Sequence, residues 1–258
     1  MNNNQTFVCS IEGNIGVGKG AFLNMLKHHF ESNYTCFKKE PTHKWKNTNP
    51  FQDCDFNLLD NFYSDTSRWS FTTQIKCTTT RIQEYEKINK NIAFCERSWY
   101  TDRFVFVETL NSLNLLSDLE KNIYDDYYRW ATSKINDVDA IIYLRASPDV
   151  CFSRSMNKHK HEEIGVSFKY LEKLHDVHEE WLMKKSNGIP ILIIDVEEDF
   201  EDIEHRQNEI INQITREFNF LEKYLIGRHT EEEKLSGNSK KQNWSIVKNK
   251  KVKRKKNK

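Results

Sequence analysis

Residues 13–22 read GNIGVGKGAF, and their reading decides the fold. The stretch is glycine-rich, carries Lys19, and lies between an apolar run at 7–11 and an amphipathic one at 21–30. In the second run Phe22, Leu23, Leu26 and Phe30 fall on one side. Strand, glycine loop and helix in this order build a phosphate cradle. Backbone N–H groups curl around an anion at a helix N-terminus while a lysine supplies charge. Gly13, Asn14, Ile15, Gly16, Val17, Gly18, Lys19 and Gly20 are therefore read as a nucleotide-phosphate loop. Gly20 departs from the pattern, because a Ser or Thr hydroxyl there would reach a magnesium ion. The motif is sound for phosphate and one oxygen short for metal, a place that water can take.

Working outward, apolar runs at 7–11, 35–37, 92–95, 140–144 and 189–194 read as five buried strands. Amphipathic stretches separate most of them, the alternation expected of a parallel sheet covered by helices, so the fold class is α/β. Ser147, Pro148 and Asp149 mark a helix start, and a helix is expected over 71–88. Segment 42–65, with its Asn, Asp and Pro, breaks the pattern and is expected to include irregular chain.

The 258 residues suffice for one large α/β domain, placed at 1–226. Residues 227–258 form a charged tail ending in KNKKVKRKKNK, expected to be disordered. Thirty-nine basic against 38 acidic residues argue against wholesale nucleic-acid coating, which leaves the tail as the one segment suited to nucleic acid or nuclear import. No apolar run approaches the roughly 20 residues of a membrane span. The opening MNNNQTF lacks the features of a signal peptide, and six scattered cysteines read as reduced thiols. A cytoplasmic protein is expected.

Ligands of doubly wound sheets bind beyond the carboxyl ends of the strands. There the chain places Lys39-Glu40-Pro41, Glu96-Arg97-Ser98, Arg145 and Asp195-Val196-Glu197-Glu198. Carboxylates and arginines gathered at the edge of a phosphate loop point to phosphoryl transfer.

The segments GNIGVGK (13–19), EPTHKW (40–45), RWSFTTQ (68–74), ERSWYTDRF (96–104), YLRASPDVCFSR (143–154), EEIGVSFKYLEKLHDVHEEWL (162–182) and DVEEDF (195–200) occur in that order. In these the sequence resembles the deoxynucleoside kinase family, of the deoxycytidine and deoxyguanosine kinase type. The resemblance implies the P-loop kinase fold, a five-stranded parallel sheet flanked by helices with a basic lid at about 154–163. It implies ATP with Mg²⁺ as donor, a deoxynucleoside acceptor and a homodimer, to which the apolar stretches 104–116 and 123–135 would contribute.

By the same resemblance Glu40 is the general base, Lys19 and Arg97 handle phosphate, and Glu96 holds magnesium. Gln74 reads the base edge, and the pair Arg81 and Asp102 accompanies cytosine or purine substrates over thymidine. Tyr63 and Glu163 contact the sugar 3′-hydroxyl; Trp45 and Phe106 wall the nucleoside site. Arg154, Lys158 and Lys160 form the lid's cations over the ATP phosphates, and Glu198, Asp199 and Phe200 lie at the adenine loop. The chain departs from the family at Gly20, at the two lid lysines, and at Thr73, where many relatives carry an aromatic residue that stacks on the base. Those departures favour a competing reading, a catalytically weak nucleotide-binding relative that acts as sensor or subunit.

Overall fold

A computed structural model of the protein describes residues 6–46, 57–157, 166–184 and 188–224. The lid residues Lys158, Lys160 and Glu163 and the tail from 227 onward lie outside them.

Five strands form one sheet: β1 (Phe7–Glu12), β2 (Thr35–Lys38), β3 (Ile92–Glu96), β4 (Ala140–Arg145) and β5 (Ile191–Asp195). Each lies within two residues of the apolar run that announces it. They pair in the order β2-β3-β1-β4-β5, every pair parallel. Both faces of such a sheet must be covered, because every strand is apolar on both sides. Cys9, Ile11, Phe94, Ile142 and Ile194 pack on one face against α1 (Lys19–Phe30) and the last long helix, Glu204–Glu217. Their neighbours Val8, Ala93, Cys95, Ile141 and Tyr143 point to the other face, as the two-residue period of a strand requires. There they meet Ile82 and Tyr85 of the long helix Thr66–Glu86 and Leu171 and Leu174 of the helix Phe168–Glu179.

In chain order the helices are α1, α2 (His43–Lys46), α3 (Leu58–Ser64), α4 (Thr66–Glu86), α5 (Trp99–Thr101), α6 (Glu108–Ser112), α7 (Asp118–Thr132), α8 (Pro148–Asn157), α9 (Phe168–Glu179) and α10 (Glu204–Glu217). A π-helical stretch, Asp102–Val107, joins α5 to α6. Within segment 42–65 lie α2 and α3, while residues 47–56 are outside the described residues. Asn57 accepts from the backbone N–H groups of Leu59 and Asp60, and Asp65 from that of Arg68. The polar residues read as breakers are caps, which also starts α4 five residues earlier than expected. Ser147 caps α8 as expected, accepting from the Val150 N–H at 3.3 Å.

β1 pairs with β3 on one side and β4 on the other, so the chain's crossovers diverge at its carboxyl end. Crevices form at such switch points. The glycine loop follows β1 directly, and the residues after β2 and β3 face it.

Candidate active site

The loop 13–18 turns sharply between β1 and α1. Gly16 has a φ of 80°, and a Cβ there would stand 2.1 Å from the Cys151 carbonyl oxygen, so only glycine fits. Gly18, at φ 104°, leads into α1, whose first turn carries no acidic side chain and no side-chain cap. Its N–H groups stay available to an anion. Lys19 folds back over the loop: its Nζ donates to the carbonyls of Gly13 (3.0 Å) and Asn14 (2.6 Å). Burial, and then the Arg97 guanidinium, hold its ammonium down at a pKa of about 7. The loop therefore presents a concentrated, poorly solvated positive field that an incoming phosphate would satisfy.

Facing it is a cluster of two arginines and three carboxylates. Glu40, just beyond β2, accepts from Arg81 Nη2 and from Arg97 Nη1, each at 2.7 Å. Burial alone would raise its pKa, but the Arg97 and Arg81 guanidiniums overcome it and hold the carboxyl at about 2. Glu40 is an anion at any physiological pH. Arg81 also grips Asp102 with two bonds, from Nε (2.9 Å) and Nη2 (3.1 Å), and reaches the Glu96 carbonyl at 3.2 Å. Arg97 sits in the left-handed region, φ 61°, directly after β3; its N–H still extends the β1 ladder to the Ile11 carbonyl at 3.0 Å. That turn aims its side chain back at Glu40. A non-glycine residue is held there only when its surroundings over-determine it.

The Glu96 carboxylate accepts the Glu40 N–H at 3.4 Å and stands 3.8–3.9 Å from where a Cβ on Gly20 would lie. Magnesium is commonly held by one or two carboxylates, phosphate oxygens and water. Glu96 beside the phosphate loop fits that donor set without a hydroxyl at Gly20.

Loop and cluster share a cavity of about 700 Å³. Its far end is walled by Trp45, Tyr63, Gln74, Phe106 and Tyr170. Trp45 is fixed by a 2.8 Å bond from Nε1 to Thr80 Oγ1, and the Arg97 guanidinium lies 5.1 Å from the Phe106 ring centre. The structure thus brings Lys19, Glu40, Trp45, Tyr63, Gln74, Arg81, Glu96, Arg97, Asp102 and Phe106 around one space. An aromatic-walled chamber with a few polar groups that opens on a cationic phosphate cradle suits a nucleoside whose hydroxyl meets a bound phosphate.

Residues 9–219 match the family model described as deoxynucleoside kinase. The chain belongs to the deoxynucleoside kinase family. A probable deoxycytidine kinase of Fowlpox virus is 36% identical over 224 residues, 84% of this chain and 89% of the relative. The mitochondrial deoxyguanosine kinase of Xenopus laevis is 35% identical over 232 residues, covering 80% and 87%. Human deoxycytidine kinase is 34% identical over 223 residues, covering 75% and 85%. Family membership makes the chain a phosphotransferase.

Other residues of this deoxynucleoside kinase-family chain lie away from the cavity. Arg154 donates to the carbonyls of Val196 (2.7 Å) and Glu197 (3.2 Å) and so braces the loop after β5. Phe200 is buried in the core beneath the phosphate loop, edge-on to Phe22, while Asp199 accepts from the N–H groups of Phe200 and Glu201. Sequence reasoning passed over Glu12, fully buried at the end of β1. Its Oε1 accepts from Ser10 Oγ (2.5 Å), Ser98 N (3.0 Å) and Ser98 Oγ (2.6 Å), and its Oε2 from Thr101 Oγ1. Glu12 thereby ties the start of the phosphate loop to the turn that aims Arg97. Its signal was available: a lone carboxylate inside an apolar strand must find several donors.

Proposed function

We propose that the protein transfers the γ-phosphate of ATP to the 5′-hydroxyl of a deoxynucleoside, with deoxycytidine or a purine deoxynucleoside favoured over thymidine. One observation carries the reading: the Glu40 carboxylate, held ionised by Arg81 and Arg97, shares a cavity with Lys19 and the phosphate loop.

In this reading the loop N–H groups and Lys19 hold the triphosphate, and Lys19 exchanges its two backbone carbonyls for phosphate oxygens. The nucleoside lies between Trp45 and Phe106 with its 5′-hydroxyl toward Glu40. As the hydroxyl oxygen bonds to the γ-phosphorus and the bond to ADP breaks, the hydroxyl proton passes to Glu40. A carboxylate with a pKa of about 2 is a weak base, so its first duty is to orient the hydroxyl. The proton leaves late, as a loose, metaphosphate-like transition state allows. Arg97 bridges Glu40 and the charge that develops on the transferred group. Glu96 would hold magnesium, which would supply further neutralisation of phosphate charge. Gln74 addresses the base, Arg81 and Asp102 stand behind it, and Tyr63 and Glu163 take the sugar 3′-hydroxyl. Lys158 and Lys160 act from the lid, Arg154 joins them on exchanging the Val196 and Glu197 carbonyls for phosphate oxygens, and the loop 198–200 borders adenine. A homodimer fits the exposed face of α7, where Leu119, Ile123 and Trp130 recur at helical spacing.

Gly20 favours a second reading, a nucleotide-binding relative with weak catalysis. Phosphorylation of deoxycytidine, deoxyguanosine, deoxyadenosine, thymidine and deoxyuridine, assayed with ATP with and without magnesium, separates the two. Magnesium-dependent turnover of deoxycytidine or a purine supports the kinase. ATP binding without turnover on any of the five supports the second reading.

A further inference from the structure

Arg81 and Arg97 clamp Glu40, and both arginines answer to one short stretch of chain, residues 97–102. Arg97 opens the stretch, in the left-handed turn after β3. Asp102 closes it and takes two bonds from Arg81, whose Nη1 also reaches the Glu96 carbonyl just before it. The aim of both guanidiniums therefore depends on how residues 97–102 are seated. At Arg97 the backbone is held by its N–H bond to the Ile11 carbonyl and by the Tyr85 hydroxyl, which donates to the Arg97 carbonyl at 2.9 Å.

Beyond Arg97 the stretch is tied to Glu12. Ser98 N, Ser98 Oγ and Thr101 Oγ1 all donate to that carboxylate, so α5 is fastened at both its ends. Ser98 holds the cap position of α5, where a serine oxygen ordinarily accepts from the helix's own N–H groups. It makes no such bond, and its hydroxyl goes to Glu12 instead. A buried carboxylate is costly unless donors converge on it. Here Ser10 completes the set, and β1, the central strand, gives Glu12 a rigid base. Glu12, Ser98 and Thr101 are fully buried and stand outside the cavity wall.

We propose that Glu12 is a positioning residue for phosphoryl transfer: it seats residues 97–102 against β1 and so sets the angle at which Arg97, and Arg81 through Asp102, hold the Glu40 carboxylate. The proposal rests on the reading above that Glu40 and Arg97 act on the acceptor hydroxyl and the transferred phosphate. Glu12 touches neither; it acts through the clamp. Misplacing a catalytic group by about 1 Å can cost on the order of 10²-fold in rate.

The test separates turnover from binding. Wild type, Glu12→Gln, Thr101→Val and Thr101→Ser are titrated by calorimetry with ATP and with the best deoxynucleoside. Turnover is then divided by the number of sites the titration counts, which discounts unfolded protein. Glu12→Gln puts an NH₂ group where an acceptor oxygen stood, Thr101→Val keeps the shape and removes one donor, and Thr101→Ser restores that donor. Turnover per site should fall roughly 10–10²-fold in Glu12→Gln and about fivefold in Thr101→Val, and stay within about twofold in Thr101→Ser. Both dissociation constants should stay within about threefold in every variant. If Glu12→Gln does not fold, the Thr101 pair carries the same comparison. Turnover within about twofold of wild type in Thr101→Val and in any folded Glu12→Gln overturns the proposal. So does ATP binding weakened about tenfold with turnover kept, which would put the role of Glu12 in the phosphate loop; in both cases the reading of the site stands. A wild type that turns over no deoxynucleoside overturns the reading and the proposal together.

Discussion

Glu40 should confer a measurable acid dependence on stability. Its side chain is 12% exposed and receives one 2.7 Å bond from each of Arg81 and Arg97. Burial opposes ionisation, yet the guanidiniums, Arg97 foremost, bring its pKa from 4.5 to about 2. At about 1.4 kcal/mol for each unit between unfolded and folded values, the ionised carboxylate contributes about 3 kcal/mol to folding near neutrality. A depressed pKa stabilises fully above the unfolded value and stops doing so as the pH falls through the folded one, so the window runs from 4.5 down to about 2. By about pH 3.5 the wild type has lost roughly 1.4 kcal/mol of this contribution, while Glu40→Gln has nothing to titrate there. Urea unfolding of both proteins, followed by tryptophan fluorescence near pH 7 and near pH 3.5, isolates the effect because the other groups cancel in the difference. The stability gap between them should shrink by about 1–1.5 kcal/mol at the lower pH. A gap constant to within about 0.3 kcal/mol would refute the clamp by the two arginines.

Two further outcomes follow from the phosphate loop. Because Lys19 sits near a pKa of about 7 and phosphate oxygens raise it, ATP binding above that pH should take up a proton and weaken as the pH rises. Calorimetry in two buffers of different ionisation enthalpy should show the uptake in the wild type and lose it in Lys19→Met. At Gly20, a serine Cβ would stand 3.8 Å from the nearer Glu96 oxygen, close enough to add an oxygen without a clash. Gly20→Ser should lower the magnesium concentration for half-maximal turnover by about threefold or more; no change would mean that Glu96 and water already complete the metal's shell.

The strands and the phosphate loop are legible in the sequence because each rests on local pattern. A strand buried on both faces must be apolar throughout, and a glycine turn before a helix must supply left-handed residues. Strand order is not legible in that way, since nothing in the run 92–95 says that it lies between β1 and β2. Asn57 and Asp65 read as breakers when taken alone and act as caps once a helix follows. The apolar stretch 104–116 spans the π-helical end at Val107 and α6, a distinction of hydrogen-bond register that side-chain periodicity does not carry.

At the site, Glu40, Arg97 and Lys19 were named from resemblance and strand-end position, and the cavity places them together. What could not be read was how they are held. The left-handed Arg97 carries no glycine signal, and its support comes from Glu12, 85 residues earlier in the chain. Arg154, named for phosphate, is bonded to the carbonyls of 196 and 197, a pairing visible only once β4 and β5 lie side by side.

The most direct measurement compares turnover and nucleoside affinity in wild type and Glu40→Gln, with ATP, magnesium and the best deoxynucleoside, near neutral pH. Affinity should stay within about threefold and turnover should fall roughly 10²–10⁴-fold. Turnover within about twofold of wild type at equal affinity would remove Glu40 from the chemistry and contradict the central claim.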